Sequence, residues 1–473
     1  MKLLKQLASY FAIGIVLCSC AVGPNYERPD VSSLTPTDWR WKVAEPKEAI
    51  PKGEWWTIFN DPVLDELETE AVAGNQNLRA AVARVDEARA GARVSLSKFF
   101  PEVSLDPSYK RERTSGHLPT PIPINVPSAL VDTYSVPFDL SYEVDLWGRV
   151  RRSFEASQAE AQASVADYQN VLLTLTADLA VNYFLARSLD TEIAALRQTV
   201  ELRNESVRIL NGRFVTGVIP ELDVVQAKTE LASTEAELAD MVRQRAETLN
   251  AVALLCGRPA SSFEIAERPA TTSPPAVPVG LPSALLERRP DIARAERNLA
   301  AKNAQIGVAR AAYFPSLHLT GQAGYLSADA KHLFSKDSSV WSVAPSVSWP
   351  LFRGGRTAAE VKQARAAYEE ALSDYRQAVL TAFKEVEDSL AQIVHRDEQT
   401  AAQARALASA GRVTELARAR YEVGVVNYLQ VIDAERNMLE QKRQKAQLEG
   451  QRFAASVRLI KALGGGWEGE NRP

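Results

Sequence analysis

The sequence has few of the residues that bind metals or form cross-links. It contains three cysteines, three methionines and four histidines in 473 residues. Cys256 is the single cysteine beyond the first twenty residues, so neither an intrachain disulfide nor a cysteine-rich metal site is expected. No two histidines have metal-ligand spacing; they are His117, His318, His332 and His395. The sequence therefore predicts no metal and no cofactor.

Catalytic motifs and a strong charge bias are also missing. We find no phosphate-binding glycine loop, no GxSxG and no HExxH, and we expect that the protein is not an enzyme. The net charge of −4 gives no reason to expect a nucleic-acid partner. No segment beyond the N-terminal one holds eighteen consecutive apolar residues, so if the mature chain crosses a membrane, it must do so as a β-barrel.

The N-terminus has the pattern of a secretory signal peptide. Lys2 and Lys5 precede a short apolar run, FAIGIVL, which ends at Leu17-Cys18-Ser19-Cys20. The run is too short for a membrane span. This ending resembles a bacterial lipobox, so we predict a signal peptide over residues 1–19 and lipidation of Cys20; the alternative is an ordinary signal with an incidental cysteine. Several acyl chains would anchor the protein stably.

A long internal duplication is present. Residues 213–227 read RFVTGVIPELDVVQA, and residues 420–434 read RYEVGVVNYLQVIDA, at an offset of 207. A second pair surrounds Pro101 and Pro315, at an offset of 214. A unit of this length is a duplicated half and not a solenoid repeat.

The duplication predicts the domain organisation. After a lipid-anchored segment over 20–60, a first repeat spans 61–257, with a β-hairpin at 101–146 and a helical tip at 211–222. A proline-rich linker over 258–290 leads to the second repeat over 291–464, with a β-hairpin at 315–351 and a tip at 420–429. Residues 465–473 form a polar tail.

Each half is predicted to contain two strands between helices. Residues 134–146 and 341–351 alternate between apolar and polar, and 103–109 and 317–325 do so more weakly. Aromatic residues concentrate at the strand ends, as in transmembrane barrels; a soluble sandwich edge is the alternative. The helices are expected at about 75–99, 152–211, 221–256, 291–314, 357–420 and 429–463. In the second of them, apolar residues recur every three or four positions from Leu172 to Val200.

Four strands do not close a membrane barrel, because the smallest have about eight. An open edge in lipid leaves backbone groups without partners. The strands must therefore be shared between copies of the chain: two copies supply about eight strands, and three supply about twelve.

Several segments resemble bacterial outer-membrane efflux lipoproteins, the exit ducts of tripartite pumps of the resistance-nodulation-division type. They include CAVGPNYERP, FNDPVLDELETEAVAGN, the stretch from Leu281 to Leu317, and the two tips. The resemblance implies a mainly α homotrimer with a twelve-stranded outer-membrane β-barrel and a twelve-helix periplasmic α-barrel. It also implies an outer-membrane location with a long periplasmic extension, a periplasmic adaptor and an inner-membrane pump as partners, and contact with outer-membrane lipid.

The same resemblance assigns residues to a periplasmic gate. Leu429, Asp433 and Arg436 match the residues that close the entrance, and their spacing places them near one helix face. Three copies of Asp433 would form a carboxylate ring that attracts cations, with arginine pairs between chains holding it shut. The alternative is a solvated face with an ordinary ion pair. The equivalent positions in the first repeat hold Gln226 and Thr229, which suggests a gate dominated by the second repeat.

The tips match the surface that docks the adaptor in this family. The matching residues are Arg213, Gly217, Leu222, Asp223, Arg420 and Gly424. Gly217 and Gly424 also suit a turn with positive φ, so a purely structural role is the alternative at each position.

The predicted function is passive conduction of drugs or other small toxic compounds to the exterior. A duct for type I protein secretion has the same fold and a different cargo. A lipid-anchored coiled-coil protein explains the helices but not the four alternating strands.

Overall fold

The computed structural model describes residues 21–40, 53–113, 115, 128–269, 274–275, 277 and 288–465. The predicted signal peptide, Cys20, most of the linker after residue 269 and nearly all of the polar tail lie outside these residues. In the described part of the chain, no helix combines the length and the apolar content needed to cross a membrane.

The described chain is mostly helical and contains a small sheet. The α-helices are α1 (Pro62–Gly74), α2 (Gln76–Ser97), α3 (Arg149–Val215), α4 (Glu221–Leu255), α5 (Pro290–Ala311), α6 (Arg356–Glu422) and α7 (Tyr428–Ala462). The strands are β1 (Glu102–Leu105), β2 (Ser108–Arg113), β3 (Leu130–Val144), β4 (Ser316–Ser327) and β5 (Ser339–Ser348). Short 3₁₀ turns lie at Ser32–Leu34, Trp55–Phe59, Ala260–Ser262, Ala330–His332 and Lys336–Ser338.

The long helices of the two halves have equal lengths and are separated by the same offset of 207 residues as the repeated sequence. Helices α3 and α6 each have 67 residues, and α4 and α7 each have 35. Both ends of each pair differ by 207, since α3 begins at 149 and α6 at 356. The duplication therefore extends through both helical hairpins and not only through their similar tips.

The sheet is antiparallel and joins the two halves. Its order is β1-β3-β4-β5, and β2 also pairs with β3. The predicted first strand is interrupted between β1 and β2 at Asp106-Pro107, because proline has no N–H to donate to the ladder. The two predicted hairpins are present, and the β3–β4 pairing between the halves makes them one sheet.

The predicted period-2 alternation is confirmed by the register. Leu140 on β3 lies opposite Val103 on β1, and Phe138 lies opposite Leu105 and Ala323. Ala323 in turn lies opposite Trp341, so the apolar residues form one continuous face. In the single chain this face is open: Phe138 is 56% exposed and Trp341 79% exposed. Exposed apolar side chains on one continuous face are typical of a surface that contacts a membrane or another protein.

The chain divides into two compact units. Among the described residues, one comprises those up to Pro29, Val85–Ser164 and Ala295–Tyr375, and includes the sheet. The other comprises the described residues of Asp30–Arg84 and Val165–Arg294 and those from Arg376 onward. The predicted helical periodicity gives the core of the second unit, where Leu179, Ile193 and Leu196 are fully buried.

Aromatic residues fasten the segment before α1 inside the second unit. Trp55 is buried, and its indole N–H donates to Thr176 Oγ1 at 3.2 Å. The rings of Phe184 and Phe453 stack with centroids 4.3 Å apart, and Phe59 packs 4.9 Å from Phe184. Helix α1 then begins with the Asp61 carboxylate accepting from Val63 N and with proline at the first position.

In the first unit, the residues after Cys20 are held against the strand ends. Val22 N donates to Trp147 O at 2.9 Å, and Asn303 donates to Pro24 O at 3.1 Å. Gly23 and Gly307 approach so closely that a Cβ on Gly23 would lie 2.5 Å from the Gly307 Cα. The Trp147 ring stacks on Phe314 at 4.6 Å, so aromatic residues meet at this end of the strands, as the sequence predicts.

Candidate functional site

Two matching turns form the tips of the helical hairpins. At the end of α3, Val218 N donates to Arg213 O at 2.9 Å; at the end of α6, Val425 N donates to Arg420 O at the same distance. Gly217 and Gly424 have φ of 75° and 76°, the left-handed conformation that ends many helices. A Cβ on either glycine would meet nothing within 4 Å. Glycine is therefore favoured at both positions by the left-handed backbone conformation, and not because another part of the chain leaves no room for a side chain.

The outer surface of both tips is apolar. Five aliphatic side chains around the turns are 62–77% exposed; they are Val215, Val218, Leu222, Val423 and Val425. Exposed Arg213 and Arg420 lie beside them. A repeated apolar surface with basic residues at its edge is suited to contact with another protein.

Directly behind the tips, the two hairpins pack against each other. Leu210 and Val224 from the first hairpin form one buried cluster with Tyr428, Val431 and Ile432 from the second. The cluster fixes how the first turn of α7 lies against α4. Burial raises the pKa of Tyr428 to about 12, so its hydroxyl is neutral at physiological pH.

A polar contact joins the tips themselves. The Tyr421 hydroxyl lies 3.5 Å from Asp223 Oδ2 and also interacts with Arg213. Burial and the Asp223 charge raise the pKa of Tyr421, which keeps it a hydrogen-bond donor. Two residues predicted for docking, Arg213 and Asp223, therefore also connect the hairpins.

The three predicted gate residues lie on one exposed part of α7. Leu429 is 42% exposed, and the Asp433 side chain is 63% exposed. Arg436 Nη1 lies 3.7 Å from Asp433 Oδ1, as expected for residues one helical turn apart. An exposed pair of this kind contributes little stability by itself.

The stronger partner of Arg436 comes from the first repeat. Arg436 Nε donates to Glu230 Oε2 at 2.9 Å, and a second guanidinium nitrogen pairs with Glu230 Oε1. Glu230 is buried, and Arg203 Nη1 contacts it from the other side at 3.3 Å, while also donating to the Glu230 backbone carbonyl. The Glu230 carboxylate is thus held between two arginines.

Glu230 is not among the residues that the sequence predicted for the gate. Gln226 and Thr229 are the repeat equivalents of Asp433 and Arg436, and they predicted a gate dominated by the second repeat. Glu230 is one position further along, and its repeat equivalent is Asn437. The available signal was a charge present in one copy and absent in the other.

A second cross-link lies further from the tips. Arg443 on α7 contacts Glu192 on α3 at 3.4 Å and Glu237 on α4 at 3.1 Å. Gln447 also donates to Glu192 at 3.0 Å. Burial raises the pKa of Glu192 despite these partners. In the described residues, no group of three or more His, Cys, Asp or Glu is arranged to hold a metal ion.

Comparison with known proteins assigns this architecture. Residues 67–258 and 281–465 match the family model described as outer membrane efflux protein. The pyoverdine export outer membrane protein OpmQ of Pseudomonas aeruginosa is 34% identical over 447 residues, which cover 94% of each chain. The toluene efflux pump outer membrane protein TtgF of Pseudomonas putida is 31% identical and covers 97% of this chain and 96% of its own.

Solved structures agree with the sequence matches. The outer-membrane channel OprN has a TM-score of 0.87 at 31% identity, covering 95% of this chain and all of its own. The CmeC outer membrane channel of Campylobacter jejuni has a TM-score of 0.87 at 25% identity and covers 96% of each chain. The fold, the outer-membrane location and the role as the channel of an efflux system are thereby confirmed. The chain belongs to the outer membrane efflux protein family.

Proposed function

We propose that three copies of this chain form one duct across the outer membrane. The observation that carries this proposal is the sheet, whose order β1-β3-β4-β5 leaves an unpaired edge at each end among the described residues. Unpaired N–H and C=O groups in lipid cost several kcal/mol each. Pairing β5 of one copy with β1 and β2 of the next satisfies both edges. Because β1 and β2 are the two parts of one interrupted strand, each copy supplies four strands, and three copies make a twelve-stranded barrel.

The helical hairpins extend this duct into the periplasm and carry the gate. Three copies of Leu429 and Asp433 line the narrow end of the duct. The leucines form an apolar constriction and the aspartates a carboxylate ring, and together they restrict the passage of solutes through the closed duct. Arg436 positions the ring, since it contacts Asp433 and is itself held by Glu230. The proposed gate thus draws on both repeats.

The tips dock a periplasmic adaptor, which connects the duct to an inner-membrane pump. The exposed aliphatic surface around Gly217 and Gly424 supplies the buried area, and Arg213 and Arg420 supply charge at its edge. Leu222 and Asp223 lie on the same first-repeat tip. Because the chain carries no visible energy-converting motif, the pump provides the driving force and the duct conducts passively.

The cargo class follows the relatives. Their names include export of pyoverdine, toluene and antibiotics, all small organic compounds. We propose that this duct likewise serves small organic compounds that its pump selects, and not folded proteins.

Cys20 is proposed as the lipid anchor. It immediately precedes Ala21 and Val22, which are held beside Trp147 at the end of the strands. Acyl chains attached there would enter the membrane next to the aromatic cluster. Cys20→Ser is expected to abolish incorporation of radioactive palmitate, and unchanged incorporation would exclude this position.

The duct is tested by purification in detergent and reconstitution into planar bilayers. We expect a trimer by light scattering. We also expect ion conductance to increase in Asp433→Ala, because the carboxylate that pairs with Arg436 is removed and the entrance is held shut less firmly. Glu435→Ala serves as a matched control, because Glu435 lies on the same helix and pairs with Arg418 within its own hairpin. A monomer that does not conduct contradicts the proposal.

A further inference from the structure

The strand ends that face away from the helices carry aromatic and basic residues, and this inference rests on the proposed barrel, whose apolar face contacts lipid. The helices adjoin the sheet at one end, so Arg113, Leu130, Ser327 and Ser339 lie at the other end. Because the helices extend into the periplasm, this second end faces the exterior. It therefore lies at the level of the outer leaflet of the membrane.

The register determines which side chains of β2 face lipid. Tyr109 lies opposite Tyr134, and Arg111 and Arg113 follow Tyr109 on the same face, two and four residues further out. Tyr134 shares this face with Phe138, since alternate residues of a strand point to the same side. The rings of Tyr109 and Tyr134 are 4.8 Å apart. Two arginines therefore lie just beyond an aromatic pair on the face that contacts lipid.

The connection between β4 and β5 adds a second aromatic pair with basic neighbours. Tyr325 lies opposite Val136 of β3 and so belongs to the apolar face. The Phe334 ring meets the Tyr325 ring edge-on, with centroids 5.4 Å apart, and Phe334 is 71% exposed. Lys331 and Lys336 precede and follow Phe334 in the chain, and both are exposed. Aromatic rings beside basic side chains are typical of the boundary between membrane and water.

Nearby carboxylates do not neutralise the two lysines. Asp132 lies 3.6 Å from Arg111 Nε, and the Asp329 carboxylate accepts from the backbone N–H of Lys331 at 2.9 Å. Within the part of the chain that the structure describes, neither Lys331 nor Lys336 has a carboxylate within ion-pair distance. Their ammonium groups are therefore available to an anionic ligand from outside the chain.

We propose that this end of the sheet binds a lipid of the outer leaflet that carries two phosphate groups. The binding surface, called the outer rim, consists of Arg111, Arg113, Lys331, Phe334 and Lys336. Guanidinium groups form paired hydrogen bonds with phosphate oxygens, and ammonium groups act as point charges. The exposed Phe334 ring contacts the acyl chains directly below the phosphates.

The spacing of the basic groups selects the kind of lipid. Strand β3 lies between β2 and β4, and neighbouring strands are about 4.8 Å apart. The arginines of β2 and the lysines that follow β4 are therefore about 10 Å apart. Two separate phosphate groups can occupy both positions at once, whereas the single phosphodiester of a glycerophospholipid can occupy one.

The test measures lipid binding to the detergent-solubilised full chain by titration in native mass spectrometry. The probes are diphosphoryl lipid A, phosphatidylglycerol, and inorganic phosphate added as a competitor at matched ionic strength. One variant is Arg111→Gln, and a second combines Lys331→Gln with Lys336→Gln. Lys110→Gln is the matched control, because Lys110 is the neighbour of Arg111 on β2 and lies opposite Thr133 on the other face of the sheet.

We expect the parent protein to bind diphosphoryl lipid A at least tenfold more tightly than phosphatidylglycerol. Arg111→Gln should weaken lipid A binding about fivefold and the double lysine variant about twentyfold, since each basic group near an anionic lipid surface contributes a factor of about five. Lys110→Gln should stay within about twofold. Arg111→Lys, which keeps the charge, should stay within about threefold and so separates loss of charge from loss of the Asp132 contact.

The inference is overturned if both lipids bind equally, if the rim variants bind as the parent does, or if Lys110→Gln weakens binding as much as Arg111→Gln. Displacement of lipid A by inorganic phosphate would assign the surface to free anions and overturn it as well, as would an equal loss in Arg111→Lys and Arg111→Gln. Failure of the proposed duct is distinguishable: a parent that is monomeric and does not conduct contradicts the barrel, whereas a trimeric, conducting parent that does not select lipid A contradicts the lipid site alone.

Discussion

A buried carboxylate on α1 gives the most specific stability prediction. Glu68 is fully buried, and neither of its carboxylate oxygens has a hydrogen-bond partner among the described residues. Burial, followed by the nearby charge of Asp65, raises the pKa of Glu68 well above its ordinary value. The folded chain therefore favours the protonated form of this side chain, whereas the unfolded chain releases the proton near pH 4.3.

The direction of the pH effect follows from proton binding. Between the unfolded pKa and the raised folded pKa, the folded chain binds more protons than the unfolded chain, so stability falls as pH increases. Glu68→Gln removes this dependence because the amide does not ionise. Within that pH range, each pH unit lowers the stability of the wild type by about 1.4 kcal/mol relative to Glu68→Gln. With an unfolding entropy of about 2.1 cal/mol/K per residue, the 473 residues give about 1 kcal/mol/K, so the difference in Tm should widen by about 1 °C for each pH unit.

The assay is thermal unfolding of detergent-solubilised protein, followed by circular dichroism at several pH values from about 5 to 8. Glu68→Gln and wild type should unfold at similar temperatures at the lowest pH and diverge as pH rises. Glu66→Gln is the control, because Glu66 is exposed on the same helix. Parallel curves for Glu68→Gln and wild type, separated by the same interval at every pH, would refute the reasoning.

Three further predictions address the tips, the thiol and the aromatic core. Gly217→Ala and Gly424→Ala should each lower the free energy of unfolding by about 1 kcal/mol, because each places an alanine in a left-handed backbone conformation. The two effects should be additive in denaturant unfolding, and a much larger effect at one tip would contradict a purely conformational role for that glycine. Cys256 is buried with its pKa raised to about 12, so maleimide labelling at pH 8 should be roughly a thousandfold slower than in the unfolded chain; equal rates would contradict its burial. Trp55→Phe removes the hydrogen bond to Thr176 and should lower stability by about 1–3 kcal/mol, measured as a lower unfolding temperature; an unchanged temperature would show that this bond is not needed.

At the proposed gate, sequence and structure contributed differently. The family resemblance pointed to Leu429, Asp433 and Arg436, and helical spacing places them near one helix face. The partner of Arg436 was not identified, because Glu230 is 206 residues away in the chain. Which residue of α4 faces Arg436 depends on how the two helices are rotated and aligned, and no local pattern records that.

In the sheet, too, the sequence predicted the local pattern of the strands but not all of their pairing. Alternation predicted which residues of β3 share a face, since the side-chain period in a strand is fixed at two. The interruption at Asp106-Pro107 has a local cause, the missing N–H of proline. The pairing of β3 with β4 across the two halves depends instead on which strand edges meet.

The sequence by itself determined the periodic and repeated features of this protein: the helical hairpins, the alternating strands, the duplication at an offset of 207 and the turns at Gly217 and Gly424. These depend on backbone geometry and on the spacing of apolar residues, which are local properties. Tertiary structure decided which charges meet, as with Glu230 between Arg203 and Arg436. It also decided which side chains have no partner in the described part of the chain, as with Glu68. Those outcomes depend on burial and on contacts between segments far apart in the chain, which become defined only when the helices pack.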